Sequence, residues 1–174
     1  MISDQYVRHI RSRIAGQSIE QIDLEIVEVL KFLAIVSAST GRRFPLTQEA
    51  DQVWHELILQ TGLYARLCRE LPGGHFLHHE SITPVEYHDR VGDDTFVREW
   101  VQWVPDYVQN FGPFVGEAAR AWNVVVFLQN EMRLSLQEIN DLGQSEAPSC
   151  RVPGKVGQQL NLLEARLRAT RKHG

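Results

Sequence analysis

Apolar residues recur along most of the chain at the three-to-four-residue spacing of an α-helix, and period-two alternation is scarcely sustained anywhere. The pattern predicts an all-α protein. A first amphipathic helix is expected over about Ser3 to Ala15, closing at Gly16. Ser18-Ile-Glu-Gln21 then has the reciprocal side-chain pattern of a capping box and opens a second. In that second helix Ile19, Ile22, Ile26, Val29, Leu30, Leu33 and Val36 form the stripe, while Leu24, Val27, Phe32 and Ile35 widen it beyond one face, which marks the helix as central. Gly41 and Pro45 bracket its end. A third helix is expected from about Thr47 to Thr61, interrupted at Gly62 and continued through Leu63 to Leu71, with Pro72-Gly73-Gly74 as the stop.

After a loop from His75 to Ser81, Thr83-Pro84-Val85-Glu86 supplies a capping Thr, a Pro at the first helical position and a Glu three residues after the cap. Phe96, Trp100, Trp103, Tyr107 and Phe111 follow at the spacing of one buried helical face, ended by Gly112-Pro113. Such a series makes an ordinary core more often than the lining of a ligand pocket. Val115 to Gln129 is read as a further buried helix, although Val124 to Leu128 also has the composition of a strand. Ser135-Leu-Gln-Glu138 is another capping box, with the short helix it opens closing at Gly143. The expected organisation is a compact bundle of about six to eight helices: a core domain over 1–143, a linker over 144–154 rich in turn-forming residues, and a basic C-terminal helix over 155–174 packed on the core. There is no internal repeat.

Length and composition agree with a single globular unit. The 174 residues, 43% hydrophobic and 23% charged, are enough to bury a substantial core. No apolar run approaches the ~18 residues that cross a bilayer, and the first residues lack the apolar stretch of a secretory signal, so a cytoplasmic protein without a membrane partner is expected. Cys68 and Cys150 are then free thiols rather than a disulfide. Charge is unevenly spread: residues 151–174 carry six basic side chains against one acidic, leaving 12 against 21 in residues 1–150. An acidic body argues against a nucleic-acid partner, and the basic tail is too short and too poor in aromatic residues to reverse that.

Candidate chemistry is concentrated in one stretch. Five of the seven histidines lie between positions 55 and 88, with Cys68 among them. The segment reads Asp51, Trp54-His55, Tyr64, Cys68, then Phe76-Leu77-His78-His79. In these residues it resembles bacterial members of the glycine-rich domain-containing protein family, which carry a Trp-His pair, a following Tyr and Cys, and a terminal His-His. The likeness spans about residues 45–125, more loosely through Tyr107, Phe111-Gly112-Pro113 and Trp122. It implies a compact helical domain and no particular activity. The chain has no glycine-rich segment, its 12 glycines being scattered, so nothing belonging to such a segment carries over.

The residues also speak for themselves. Asp51 and His55, four apart on a helix, place a carboxylate within reach of an imidazole and can fix its tautomer. Cys68 is thirteen positions beyond His55, about 140° around a straight helix, so the two converge only if the chain breaks between them. Gly62 offers that break. With the Gly73-Gly74 loop folded back, His55, Cys68, His78 and His79 would form a set able to hold zinc, iron or copper, with Asp51 and Tyr64 standing behind the ligands. Three readings stay open: a transition-metal site, a metal-free polar site that includes a Cys68 nucleophile activated by a neighbouring His, and a purely structural motif. No Cys-x-x-Cys, His-Glu-x-x-His, P-loop, GxGxxG or GxSxG is present. The sequence therefore supports a metal-binding protein whose activity, catalytic or otherwise, is undetermined. The competing reading is a non-catalytic adaptor or inhibitor that engages a protein partner.

Overall fold

The computed structural model describes residues 1–39, 46–79 and 84–171. Among these the chain forms ten α-helices and one 3-10 helix, more than the six to eight expected: α1 (Asp4–Arg13), α2 (Ile19–Ala38), α3 (Gln48–Leu59), α4 (Thr61–Glu70), α5 (Pro84–Val91), α6 (Asp93–Val101), α7 (Trp103–Phe111), the 3-10 helix (Gly116–Ala121), α8 (Asn123–Asn130), α9 (Leu136–Ser145) and α10 (Gly154–Arg171). No described helix is long and apolar enough to cross a membrane. The all-α reading holds. The only strand-like contact among described residues is a bridge between Leu46 and Trp122, with Val124 to Leu128 inside α8.

Helix α2 is the centre, as its broad apolar stripe implied. Ile26, Val29, Leu30, Leu33, Ala34 and Ile35 are fully covered, and α3, α7, α10 and the 3-10 helix all pack against it. Several helices begin where a hydroxyl can take up an orphan amide. Ser3 accepts from the Tyr6 N–H, Ser18 from Gln21 and Thr47 from Ala50. At Ser135 the box is complete, with the Glu138 carboxylate accepting the Ser135 N–H at 2.7 Å while Ser135 Oγ accepts the Glu138 N–H at 3.2 Å. These bonds to the ionised form hold the Glu138 carboxyl below its ordinary pKa. The expected caps at Gly41, Pro45 and Thr83 fall outside the described residues.

The extra helices come from breaks that periodicity does not register. The α3–α4 break falls at Gln60 rather than Gly62. Gln60 leaves the helical region at φ −87°, ψ 60°, and its carbonyl restarts the ladder by accepting the N–H groups of Leu63 and Tyr64 at 2.9 and 2.8 Å. The aromatic series is likewise divided among helices. Gly92 takes φ +79° between α5 and α6, a conformation that costs glycine little. Pro105, in the first turn of α7, has no N–H to return to the end of α6. Trp103 and Tyr107 are therefore fully buried, whereas Phe96 and Trp100 are only half-covered.

The segment expected as a linker is fastened along α7. Ser149 donates from its N–H and hydroxyl to Asp106, Val152 N–H donates to Asn110 Oδ1 at 2.8 Å, and the Gln102 amide donates to the Ala147 carbonyl at 2.9 Å. Beyond it, α10 lays Val156, Leu160, Leu163 and Leu167 into the core.

Gly143 does not end α9 but lies inside it, at the crossing with α7. A Cβ there would stand 2.5 Å from Val108 Cγ2 and 3.2 Å from the Val104 carbonyl oxygen. Gly143→Ala is expected to lower stability by about 1–3 kcal/mol through overpacking, despite alanine's better helix propensity. Urea melts of Gly143→Ala, alone and combined with Val108→Ala, check this; the second change should restore part of the loss.

Candidate metal centre

Two turns of α3 and one returning loop build the site. Asp51 and His55 are stacked on α3 by their four-residue spacing, and Trp54 precedes His55 at the helix edge. Trp54 packs edge-on against Phe32 of α2, with ring centroids 5.0 Å apart. Its indole N–H donates to the Tyr64 hydroxyl at 3.0 Å, and that hydroxyl in turn donates to the Leu77 carbonyl at 2.9 Å. Burial raises the Tyr64 pKa well above its ordinary value, the Trp54 bond offsets part of this, and Cys68 adds to the rise, so the phenol keeps the proton that the Leu77 bond needs. Loop residues 72–79 are thereby tied to α4 and α3. The other end of the loop is held by the Gly73 N–H, which donates to Ser37 Oγ at 2.8 Å, and Gly74 turns the chain at φ +62°.

This tether brings His79 over Trp54, at a centroid distance of 4.4 Å, and beside His55, at 4.3 Å. His79 Nε2 lies 3.1 Å from Asp51 Oδ1, and His55 Nδ1 lies 3.2 Å from Asp51 Oδ2 and 2.9 Å from the Asp51 carbonyl oxygen. One donor atom from each of Asp51, His55 and His79 falls within 4.8 Å of the others. Side-chain exposures of 36% for Asp51, 51% for His55 and 15% for His79 put one wall of the cluster against protein and leave the other open to solvent.

Of the expected site residues, the structure joins His55 and His79, and it places Asp51 in direct contact with both rather than behind them. Cys68 and His78 stand elsewhere. Because the chain restarts at Gln60, α4 turns Cys68 into the core, where it is 1% exposed and a free thiol near Tyr64. His78 faces outward with its ring 5.0 Å from Phe76. Tyr64 touches none of the three clustered donors and holds the loop that carries His79 through its bond to the Leu77 carbonyl. His75 is exposed and close to its own loop carbonyl at Gly73. His88 lies on the surface with Asp89 and Asp93, whose bonds to the ring raise its pKa.

The cluster's arrangement has two chemical uses. As it stands, a carboxylate flanked by two imidazoles is a hydrogen-bonded acid–base group. The same atoms also suit a cation: one donor atom from each residue lies within 4.8 Å of the others, a spread that can close on a zinc whose tetrahedral ligands, at about 2.0–2.1 Å, stand about 3.3–3.4 Å apart. Two imidazoles and one carboxylate with an open side are the donor set of catalytic zinc and non-haem iron sites, which keep coordination positions for water or substrate.

Compared with protein-family models, with curated proteins and with solved structures, the chain matches none.

Proposed function

We propose that the protein binds one transition-metal ion, zinc, iron or copper, through Asp51, His55 and His79. The observation that carries this reading is the convergence of three donor atoms from α3 and a distant loop, within 4.8 Å of one another, on an aromatic floor anchored to the central helix. The three protein ligands leave the solvent side for water or a small ligand, the layout of a reactive site rather than of a closed structural one. Cys68 and His78 contribute no donor atom. The His55 ring nitrogen nearest the Asp51 carbonyl must give up any proton it shares with that oxygen, or the ring must turn, before it ligates. Protons compete with the metal for both imidazoles, so uptake weakens in acid.

Titration of chelator-treated protein with zinc is expected to saturate at one equivalent. Asp51→Ala, His55→Ala and His79→Ala should each weaken binding by 10-fold or more, while Cys68→Ala and His78→Ala bind as the parent does. Equal affinity across all five variants overturns the assignment.

The protein-interaction reading has its own support. Helix α6 has no buried residue, and Val85, Val97 and Val101 present a large apolar exposure around it. Under that reading the three-ligand variants leave the metal content unchanged at zero, so the same titration separates the two.

A further inference from the structure

On the outer face of α6, apolar and charged groups share one stripe. Asp94, Val97, Arg98 and Val101 fall within about 100° of arc on the helix, and all four are exposed, Val97 at 53% and Val101 at 43%. Val85 of the adjoining α5 is 68% exposed. The opposite face is committed to the protein. Phe96 lies 5.8 Å from Trp100, and Trp100 lies 4.8 Å from Phe127 of α8, between ring centroids. The Tyr87 hydroxyl donates to Glu99 and the His88 ring bonds Asp93, which pins α5 to α6. The stripe is therefore presented by a helix fastened from behind.

These bonds also sort the charges of α6. Asp93 and Glu99 are taken up in them, whereas Asp94 and Arg98 are not. Among the described residues neither Asp94 nor Arg98 has an ion-pair partner, although they stand one turn apart on the same helix.

We propose that this stripe pairs with the same stripe of a second copy of the chain, the two α6 helices lying antiparallel about a two-fold axis between Val97 and Arg98. About that axis Val97 faces the stem of the partner's Arg98, and Val101 lies beside the partner's Asp94. Arg98 is then offset from the partner's Asp94 by about 4.5 Å along the helix, at a rise of 1.5 Å per residue, a step that an arginine side chain spans. The axis repeats each contact, so four residues give two apolar contacts and two ion pairs. That is the self-complementarity an isologous interface requires. A parallel pairing would set Asp94 against Asp94 and Arg98 against Arg98, which like-charge repulsion opposes. Charge complementarity thus selects both the occupant and its direction. The proposal rests on the exposed α6 face and not on the metal centre, so either can fail without the other.

The patch is small and its ion pairs are solvated, so the dimer belongs with transient interfaces, below roughly 1,200 Å². A dissociation constant of about 0.1 mM is expected.

The test is sedimentation equilibrium of the full chain from about 10 µM to about 1 mM, with chelator present so that no metal bridges the exposed histidines of two copies. Monomer is expected at the low end and dimer at the high end. Asp94→Arg and Arg98→Asp, each with parental helix content by circular dichroism, should each weaken association at least 10-fold, because like charges then meet across the axis. An equimolar mixture of the two variants should recover it, since each copy offers the charge the other lacks. The double variant Asp94→Arg, Arg98→Asp should recover it as well, which a parallel pairing does not allow. Val97→Asp should abolish it. A chain that stays monomeric at about 1 mM overturns the second copy as occupant of this face. Dimerisation indifferent to Asp94→Arg and Val97→Asp, or single variants that weaken it without recovery in the mixture, overturns the α6 pairing.

Discussion

Glu28→Ala is expected to destabilise the protein by about 3–5 kcal/mol, a large share of the ~5–15 kcal/mol that holds a domain of this size together. Glu28 is 2% exposed on the central helix, and both carboxylate oxygens are used. One accepts the Lys31 ammonium at 2.7 Å and the other accepts the Trp122 indole N–H at 2.8 Å. The ammonium also donates to the Tyr107 hydroxyl at 2.8 Å and lies 5.0 Å above that ring. Burial, followed by the Glu28 charge, raises the Tyr107 pKa far above its usual value, so the phenol stays neutral within the network. Truncating Glu28 strands an ammonium ion and an indole N–H in the packed centre of α2, α7 and the segment before α8. The penalty is that of uncompensated polar groups, not the net worth of the ion pair. A Glu28→Met, Lys31→Met double replacement, which removes both charges together, should be much less costly than Glu28→Ala. Urea denaturation of the three proteins decides the matter; equal stability of parent and Glu28→Ala would show that the network contributes nothing.

Trp54→Ala carries the second large effect, and it is a double one. The indole rests on Phe32, lies beneath His79 and donates to the hydroxyl that holds the loop at Leu77. Losing it opens a cavity beside α2 and leaves Tyr64 without its donor. We expect a loss of about 3 kcal/mol, at the low end for a tryptophan because the ring is only partly covered. The same change frees the loop that presents His79, so metal affinity should fall with stability. His55→Ala separates the two, since a half-exposed side chain costs within about 0.5 kcal/mol while its removal takes away a ligand. Trp54→Phe keeps the floor but not the N–H, and should lie between. Paired melts and zinc titrations check the ordering. A Trp54→Ala protein with parental metal affinity would detach the aromatic floor from the site.

These two residues also show what the chain discloses and what it conceals. The broad stripe of α2, the caps at Ser18 and Ser135, and the four-residue step from Asp51 to His55 all follow from local spacing. Each can be read from neighbouring residues. The third donor cannot, because His78 and His79 are adjacent and only the bond from Tyr64 to the Leu77 carbonyl decides which imidazole returns to α3. Cys68 is equally ambiguous, since its direction depends on whether the helix restarts at Gln60 or Gly62. Glycine's general freedom pointed to Gly62, whereas the carbonyl of Gln60 provides the actual restart. Gly143 has the appearance of a helix end and is a notch for Val108, a role visible only once α7 is in place. Glu25, Glu28 and Lys31 are charged residues on a buried helix. The three-residue step from Glu28 to Lys31 is local, but their further partners Tyr107 and Trp122 are far away in sequence, so the spacing carries no trace of the buried network they complete.

The most direct test of the metal-site assignment is the electronic spectrum of protein loaded with one equivalent of cobalt(II) after chelator treatment. Ligation by Asp51, His55 and His79 predicts visible d–d bands without a thiolate-to-cobalt charge-transfer band, a spectrum unchanged in Cys68→Ala and abolished in His79→Ala. A thiolate band that disappears with Cys68, or the absence of any protein-bound cobalt spectrum, would contradict it.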